Sequence, residues 1–331
     1  MPVNPSLANS TESLRGEPFA EEFCFPFLLG AQNADGGWGY NPGSSSGVEA
    51  TCWALLALGG ARRHDKVEEA ARRGQQWLHQ TQLSDGSWPA FVGQPKGCWV
   101  TALACLALLT RQESRDFVNR GARWLCDTWP AEGGLWWRLR SRWQRTPAVV
   151  RQDSSLRGWS WTQGTASWVE PTSCSLILLK NLLLKNPLRN SLPPTSGKRV
   201  RLAEAMLYDR MCPGGGWNSG NPLVYGVAGV PRVGPTVWAL LALHDRRDRT
   251  ENQKSLDWLA AGLGEIQGPG SLALAYLCLE AHGRMVPPLE PLLRSRQAVN
   301  RFLMNVVVVA WAALALGGPP EWLPQESKVE S

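Results

Sequence analysis

Two carboxyl groups occupy the same place in a recurring context. In GVEAT (47–51) and WVEPT (168–172), Glu49 and Glu170 each stand two residues ahead of a threonine that opens an apolar helical run. A carboxyl at the edge of an apolar interior holds its proton to higher pH than one in water and can act as a general acid. Glu170 also sits in GWSWTQGTASWVEPT, where Trp159, Trp161 and Trp168 crowd one helix start. Indole faces stabilise a nearby cation. A plainer reading competes. An acid in the first turn is favoured by the helix dipole, with the threonine as N-cap or Pro171 at N1. Glu170 is the better candidate of the two because of its aromatic neighbours. Trp159 is read mainly as packing, and Trp161 and Trp168 stand evenly between packing and ligand contact.

Other residues look like chemistry and have simpler explanations. Asp35 and Asp85 lie in QNADGGW and QLSDGSW, where Asp-Gly serves a tight turn. The stretch WRLRSRWQRTPAVVRQDSSLR carries Arg138, Arg140, Arg142, Arg145, Arg151 and Arg157 against one acid, Asp153. A solvated loop accounts for it. Among functional readings, a lipid headgroup or prenyl-phosphate contact ranks above nucleic acid, because no nucleic-acid motif accompanies the charge. There is no Walker A loop, and no GxSxG or GxGxxG that follows a strand; GSSSG at 43–47 lies in a polar turn with no strand before it.

The elements that must position these residues form a repeat. TCWALLAL starts at Thr51, TALACLAL at Thr101, TSCSLILL at Thr172 and TVWALLAL at Thr236; LALAYLCLEAHG and VAWAALALGG continue the series without threonine. These six segments are apolar nearly all round, as fully buried helices are. Each follows a more amphipathic helix ending in a large residue and leucine: Phe27-Leu28, Trp77-Leu78, Trp124-Leu125, Met206-Leu207, Trp258-Leu259 and Leu292-Leu293. Gly74 and Gly121 stand three residues before their tryptophans, a place for close helix approach. Trp38 to Thr51, Trp88 to Thr101 and Trp159 to Thr172 are each thirteen residues apart. Six helix pairs close most simply into an all-α (α/α)6 toroid, with a buried inner ring and an amphipathic outer ring. The expected boundaries are a disordered tail at 1–18, the toroid at 19–318 with an insertion at about 137–156, and a C-terminal tail at 319–331.

Composition agrees with an ordered chain: 44% hydrophobic, 19% charged, net charge +6 and eighteen tryptophans. No apolar run reaches the roughly 18–20 residues of a membrane-spanning helix. The eight cysteines sit mostly inside apolar helical patterns, none with CxxC spacing, and the four histidines are scattered. The cysteines are read as reduced core thiols in a cytoplasmic protein, with no metal and no cofactor expected.

QxxDGxW followed by a TxxALLAL helix resembles the QW repeat of the terpenoid cyclase and protein prenyltransferase superfamily, with squalene–hopene cyclases nearest in pattern. The resemblance covers roughly residues 20–317. It implies that the Gln and Trp of the repeat tie neighbouring turns together. It also implies an apolar isoprenoid or lipid ligand, with peripheral contact at the inner membrane surface and no nucleic acid. Glu49 and Glu170 stand where that family keeps the middle Asp of DxDD, an acid that protonates an alkene or epoxide. The chain departs from the pattern: there is no DxDD, since Gly47, Ala50, Trp168 and Pro171 hold the flanking places, and there is room for one toroid. Three functions follow: protonation-initiated cyclisation of a polyprenyl substrate, non-catalytic isoprenoid or lipid binding, and a carbohydrate-active (α/α)6 enzyme.

Overall fold

The computed structural model describes residues 19–61, 64–109, 114–133, 152–185, 192–299 and 304–324. The expected tail at 1–18 and the arginines at 138, 140 and 142 lie outside them.

Among the described residues, twelve α-helices alternate between the two layers. The outer ones are α1 (Phe25–Gly30, continuing a π-turn at Ala20–Cys24), α3 (Asp65–Thr81), α5 (Arg115–Asp127), α7 (Ser196–Asp209), α9 (Thr250–Ala261) and α11 (Leu289–Val299). The inner ones are α2 (Val48–Leu58), α4 (Val100–Leu108), α6 (Val169–Lys185), α8 (Val233–Ala242), α10 (Pro269–Ala281) and α12 (Val306–Leu316). Inner helices pack in order, α2 on α4, α4 on α6, α6 on α8, α8 on α10, α10 on α12, and α12 back on α2. The ring is closed.

Burial follows the residue patterns. Every residue of α4 is buried, and α10 buries eleven of its thirteen. On α3 the buried positions are Val67, Ala70, Ala71, Gly74, Gln75, Trp77 and Leu78, a single stripe at helical spacing. The outer face carries its charges, such as the exposed pair Arg72–Glu69.

One element escapes the helical pattern. Unit four needs nineteen residues from Trp217 to Thr236, not thirteen. The six extra residues build a hairpin, β1 (Leu223–Val224) against β2 (Val227–Ala228). Its two-residue tip has φ 49° at Tyr225 and 78° at Gly226, the double positive φ of a type I′ turn. Packing also runs past the boundary expected at 318. Leu323 is buried, Asn181 Nδ2 donates to Trp322 O at 2.6 Å, and His244 Nδ1 lies 2.8 Å from Pro324 O.

Candidate functional site

The repeated turn brings the inner helix starts to one end of the ring. In unit one, Trp38 Nε1 donates to Leu28 O at 2.7 Å, the last-turn leucine of α1. Trp88, Trp159 and Trp217 repeat this with Leu78, Leu125 and Leu207. The threonine that opens the inner helix accepts from the backbone N–H of the same tryptophan, at 2.9 Å in all four units. Gln32 Nε2 reaches across to Ala70 O on α3, and Gln82 to Phe117 O on α5. Unit three has Asp153 where the glutamine would stand. There the direction reverses: Arg199 of α7, at the position equivalent to Ala70 and Phe117, donates to Gly158 O and Thr128 O. Asp35 and Asp85 are occupied within this device. Each accepts from the turn backbone and from an indole of the following outer helix, Trp77 at 3.0 Å and Trp124 at 3.1 Å.

A belt of backbone hydrogen bonds then joins the units around this mouth. Val48 N donates to Ala90 O, Trp99 N to Trp161 O, and Val169 N to Ser219 O. Val306 N donates to Tyr40 O at 2.8 Å, linking unit six to unit one. Each acceptor lies two residues after its unit's tryptophan.

Glu49 and Glu170 both stand at this mouth, on α2 and α6. Both act electrostatically on Cys174 of α6. Tyr40 Oη donates to Glu49 Oε2. Burial lifts the Glu49 carboxyl above its ordinary value, while the Tyr40 hydroxyl and the Trp53 indole pull the other way. The Trp53 N–H leans on this carboxyl outside hydrogen-bonding geometry and has no partner of its own. Burial also raises Glu170, opposed by its own backbone N–H and by the Arg232 cation. Glu170 Oε2 is buried with no hydrogen-bond partner.

Two residues past each helix-opening position stands the floor. Trp53, Trp238 and Trp311, from α2, α8 and α12, meet across the ring, with centroids 5.3 Å apart for Trp53–Trp238 and 5.9 Å for Trp53–Trp311. Trp161 crosses Trp99 edge to face at 4.9 Å, and both are half-buried at the rim. Trp168 is half-buried, and its backbone N–H donates to Trp159 O.

Trp159, a candidate ligand contact read mainly as packing, lies in the core. It is 3% exposed, its indole N–H is spent on Leu125 O, and the Arg199 guanidinium covers its ring at 4.1 Å. That ring packs between units and offers no face to a ligand. Reading the sequence missed Tyr40, Arg232 and the floor tryptophans. The floor had a signal: a tryptophan two places after Thr51 and Thr236. Tyr40 and Arg232 had none, since only folding brings them to the glutamates. Among the described residues no three His, Cys, Asp or Glu side chains converge to hold a metal.

No family model matches the chain. Human lanosterol synthase is 41% identical over 73 residues, which cover 19% of this chain and 10% of that protein. The chain thus matches about a tenth of the length of this curated relative. The type II terpene cyclase MstE from Scytonema superposes with TM-score 0.54 at 14% identity, over 90% of this chain and 96% of that one. A single-substitution variant of MstE has also been solved in complex with its substrate geranylgeranyl dihydroxybenzoate. Cellobiose 2-epimerase from Spirochaeta thermophila superposes with TM-score 0.54 at 12% identity, over 95% and 88%. The fold is the (α/α)6 toroid of the type II terpene cyclases, and a sugar epimerase shares it.

Proposed function

We propose that this protein binds an isoprenoid at the tryptophan-floored mouth, with Glu170 as proton donor for its cyclisation. The observation that carries the reading is Glu170 itself. It has a raised pKa and a buried, unpartnered Oε2 at the inner-helix start, beside half-buried indoles. A protonated carboxyl with no competing acceptor can deliver its proton to an alkene carbon. The O–H bond breaks, a C–H bond forms, and positive charge develops on the neighbouring carbon, where indole faces stabilise it. Loss of a proton from the cyclised cation returns the carboxyl to its acid form. Glu49 is the second candidate, although the Tyr40 hydroxyl favours its anion.

One observation favours binding without turnover. Trp53, Trp238 and Trp311 meet across the ring, with Trp53 one helical turn beyond Glu49, and close the inside of the mouth with indoles. Protonation chemistry needs water excluded from the growing cation.

The rim supports access from a lipid surface. Phe91, Val92, Tyr225, Val227 and Val230 are exposed around the mouth. The loops 39–47, 89–98, 160–168 and 218–232 contain Lys96 and Arg232 and no carboxylate. Apolar tips beside cations suit anionic headgroups.

The test is incubation with squalene, oxidosqualene, geranylgeranyl diphosphate, geranylgeranyl dihydroxybenzoate and, for the carbohydrate alternative, cellobiose. Wild type is compared with Glu170→Gln and Glu49→Gln, and products are read by mass spectrometry. Cyclised product lost in Glu170→Gln is expected. Turnover surviving both substitutions sinks the mechanism. Saturable binding without product selects the non-catalytic reading, and conversion of cellobiose alone overturns the isoprenoid one.

A further inference from the structure

The hydrogen-bonded belt has a gap at unit five. The junctions from unit one to two, two to three, three to four and six to one are each bridged by an N–H at an inner-helix start and a carbonyl two residues after the next tryptophan. Val233 is the equivalent donor in unit four, because Arg232 N bonds Trp217 O as Gly47 N bonds Trp38 O. Unit five has no such tryptophan strand. Its connection is the short EIQGPGS at 265–271. Val233 N–H, at the first position of α8, therefore finds no acceptor among the described residues.

The space the missing strand would fill is an open groove of about 540 Å³. Its inner wall is Arg232, Val233, Gly234 and Pro235, and its outer wall includes Trp258 and Ile266. Arg232 is exposed, and no ion pair joins it to any described carboxylate. It is also close enough to Glu170 to act on that carboxyl. The groove thus combines a cation and an orphan backbone donor on one wall, an indole and an aliphatic surface on the other, and adjacency to the proposed acid. Its volume is that of a small-molecule site. Glu265, exposed on the far lip, is the one carboxylate in the lining.

We infer that this groove holds the anionic head of an amphiphilic ligand, a carboxylate or phosphate on Arg232 and Val233 N–H, with the apolar tail directed to the Glu170 mouth. The placement of the tail rests on the isoprenoid reading; the anion site does not. A charge-assisted contact from an arginine and a backbone N–H discriminates an anionic head from a neutral one of the same tail.

The experiment is calorimetric titration with farnesyl diphosphate, farnesoic acid, farnesol and inorganic pyrophosphate. The variants are Arg232→Gln, Glu265→Gln and Gly234→Leu. Arg232 is exposed, and a Cβ at Gly234 meets nothing within 4 Å, so both substitutions leave the fold intact while removing the charge or filling the groove. Wild type should bind at least one of the two anionic compounds about tenfold or more tighter than farnesol. Comparing the diphosphate with the acid tells phosphate from carboxylate. Arg232→Gln and Gly234→Leu should each bring that preference to within about twofold, and Glu265→Gln should tighten the anion by about threefold. Equal binding of anionic and neutral compounds by wild type, or a preference that survives Arg232→Gln, overturns the groove while leaving the isoprenoid reading standing. Pyrophosphate binding that is lost in Arg232→Gln, with no farnesyl compound bound, keeps the anion site and removes the isoprenoid.

Discussion

Tyr40 donates to Glu49, whereas nothing donates to the buried Oε2 of Glu170. Both carboxyls are raised by burial, so both stay protonated above the ordinary glutamate range. Turnover that needs the acid form should be full at low pH and fall as pH rises through the raised Glu170 pKa. A rate that rises with pH over that window would exclude Glu170 as donor. The same shift makes a stability statement. A carboxyl raised in the folded state contributes most at low pH, and that contribution is lost as pH climbs through the folded value. Glu170→Gln should therefore be at least as resistant to urea as wild type at pH 8, and a lower midpoint would contradict this. His282 has the opposite sign. Burial lowers it to about 4, and its Nε2 has no partner. Its contribution is present above about 6.5 and lost as pH falls towards 4. Replacing it with glutamine should flatten the acid limb of the stability profile, measured by denaturant midpoints between pH 4 and 7.

At the scale of the element, the helix pair is held by close contacts that tolerate no added atom. A Cβ on Gly74 would stand 2.6 Å from Trp38 Cζ3, and on Gly121 2.4 Å from Cys105 Sγ. Gly74→Ala should destabilise by about 1–3 kcal/mol through overpacking. Gly30→Ala, where nothing lies within 4 Å, should be neutral or stabilise by about 0.4–1 kcal/mol. Thermal melts of the two variants separate packing from propensity. Thr101→Val would orphan the buried Trp88 N–H and cost about 1–3 kcal/mol, with Thr101→Ser restoring most of it. These elements were legible because each rests on a local pattern. Thirteen residues from Trp to Thr, a glycine three before a tryptophan, and Leu after it all recur in the chain. The hairpin at 223–228 was not legible, since two-residue strands carry too few alternating positions to register as strands.

For the whole molecule, closure follows from six similar pairs, and the bond from Val306 N to Tyr40 O joins the two ends of the repeat series. The mouth this creates has an apolar rim, with no carboxylate in the loops 39–47, 89–98, 160–168 and 218–232. The protein should co-sediment with vesicles containing about 30% anionic lipid, and replacing Tyr225 and Val227 by aspartate should abolish this. Weaker binding at high salt is also expected, because the cations Lys96 and Arg232 contribute. Co-sedimentation unchanged in the double variant would remove the rim from membrane contact. No helix among the described residues is long and apolar enough to cross a membrane.

The sequence by itself determined the repeat, the two helix layers and the position of both glutamates at inner-helix starts. Each of these depends on residues within one unit, some thirteen to fifty positions apart, where hydrophobic spacing and turn chemistry act. Only the tertiary structure decided which side chains meet. Trp53 joins Trp238 and Trp311 from units one, four and six, Arg232 approaches Glu170 from the next unit, and Arg199 covers Trp159 from the helix of another. Those meetings depend on the rotation from unit to unit and on where the belt is complete. The missing strand of unit five is visible in the sequence as a short loop. That it leaves a groove with an unpaired N–H beside an arginine is a property of the closed ring.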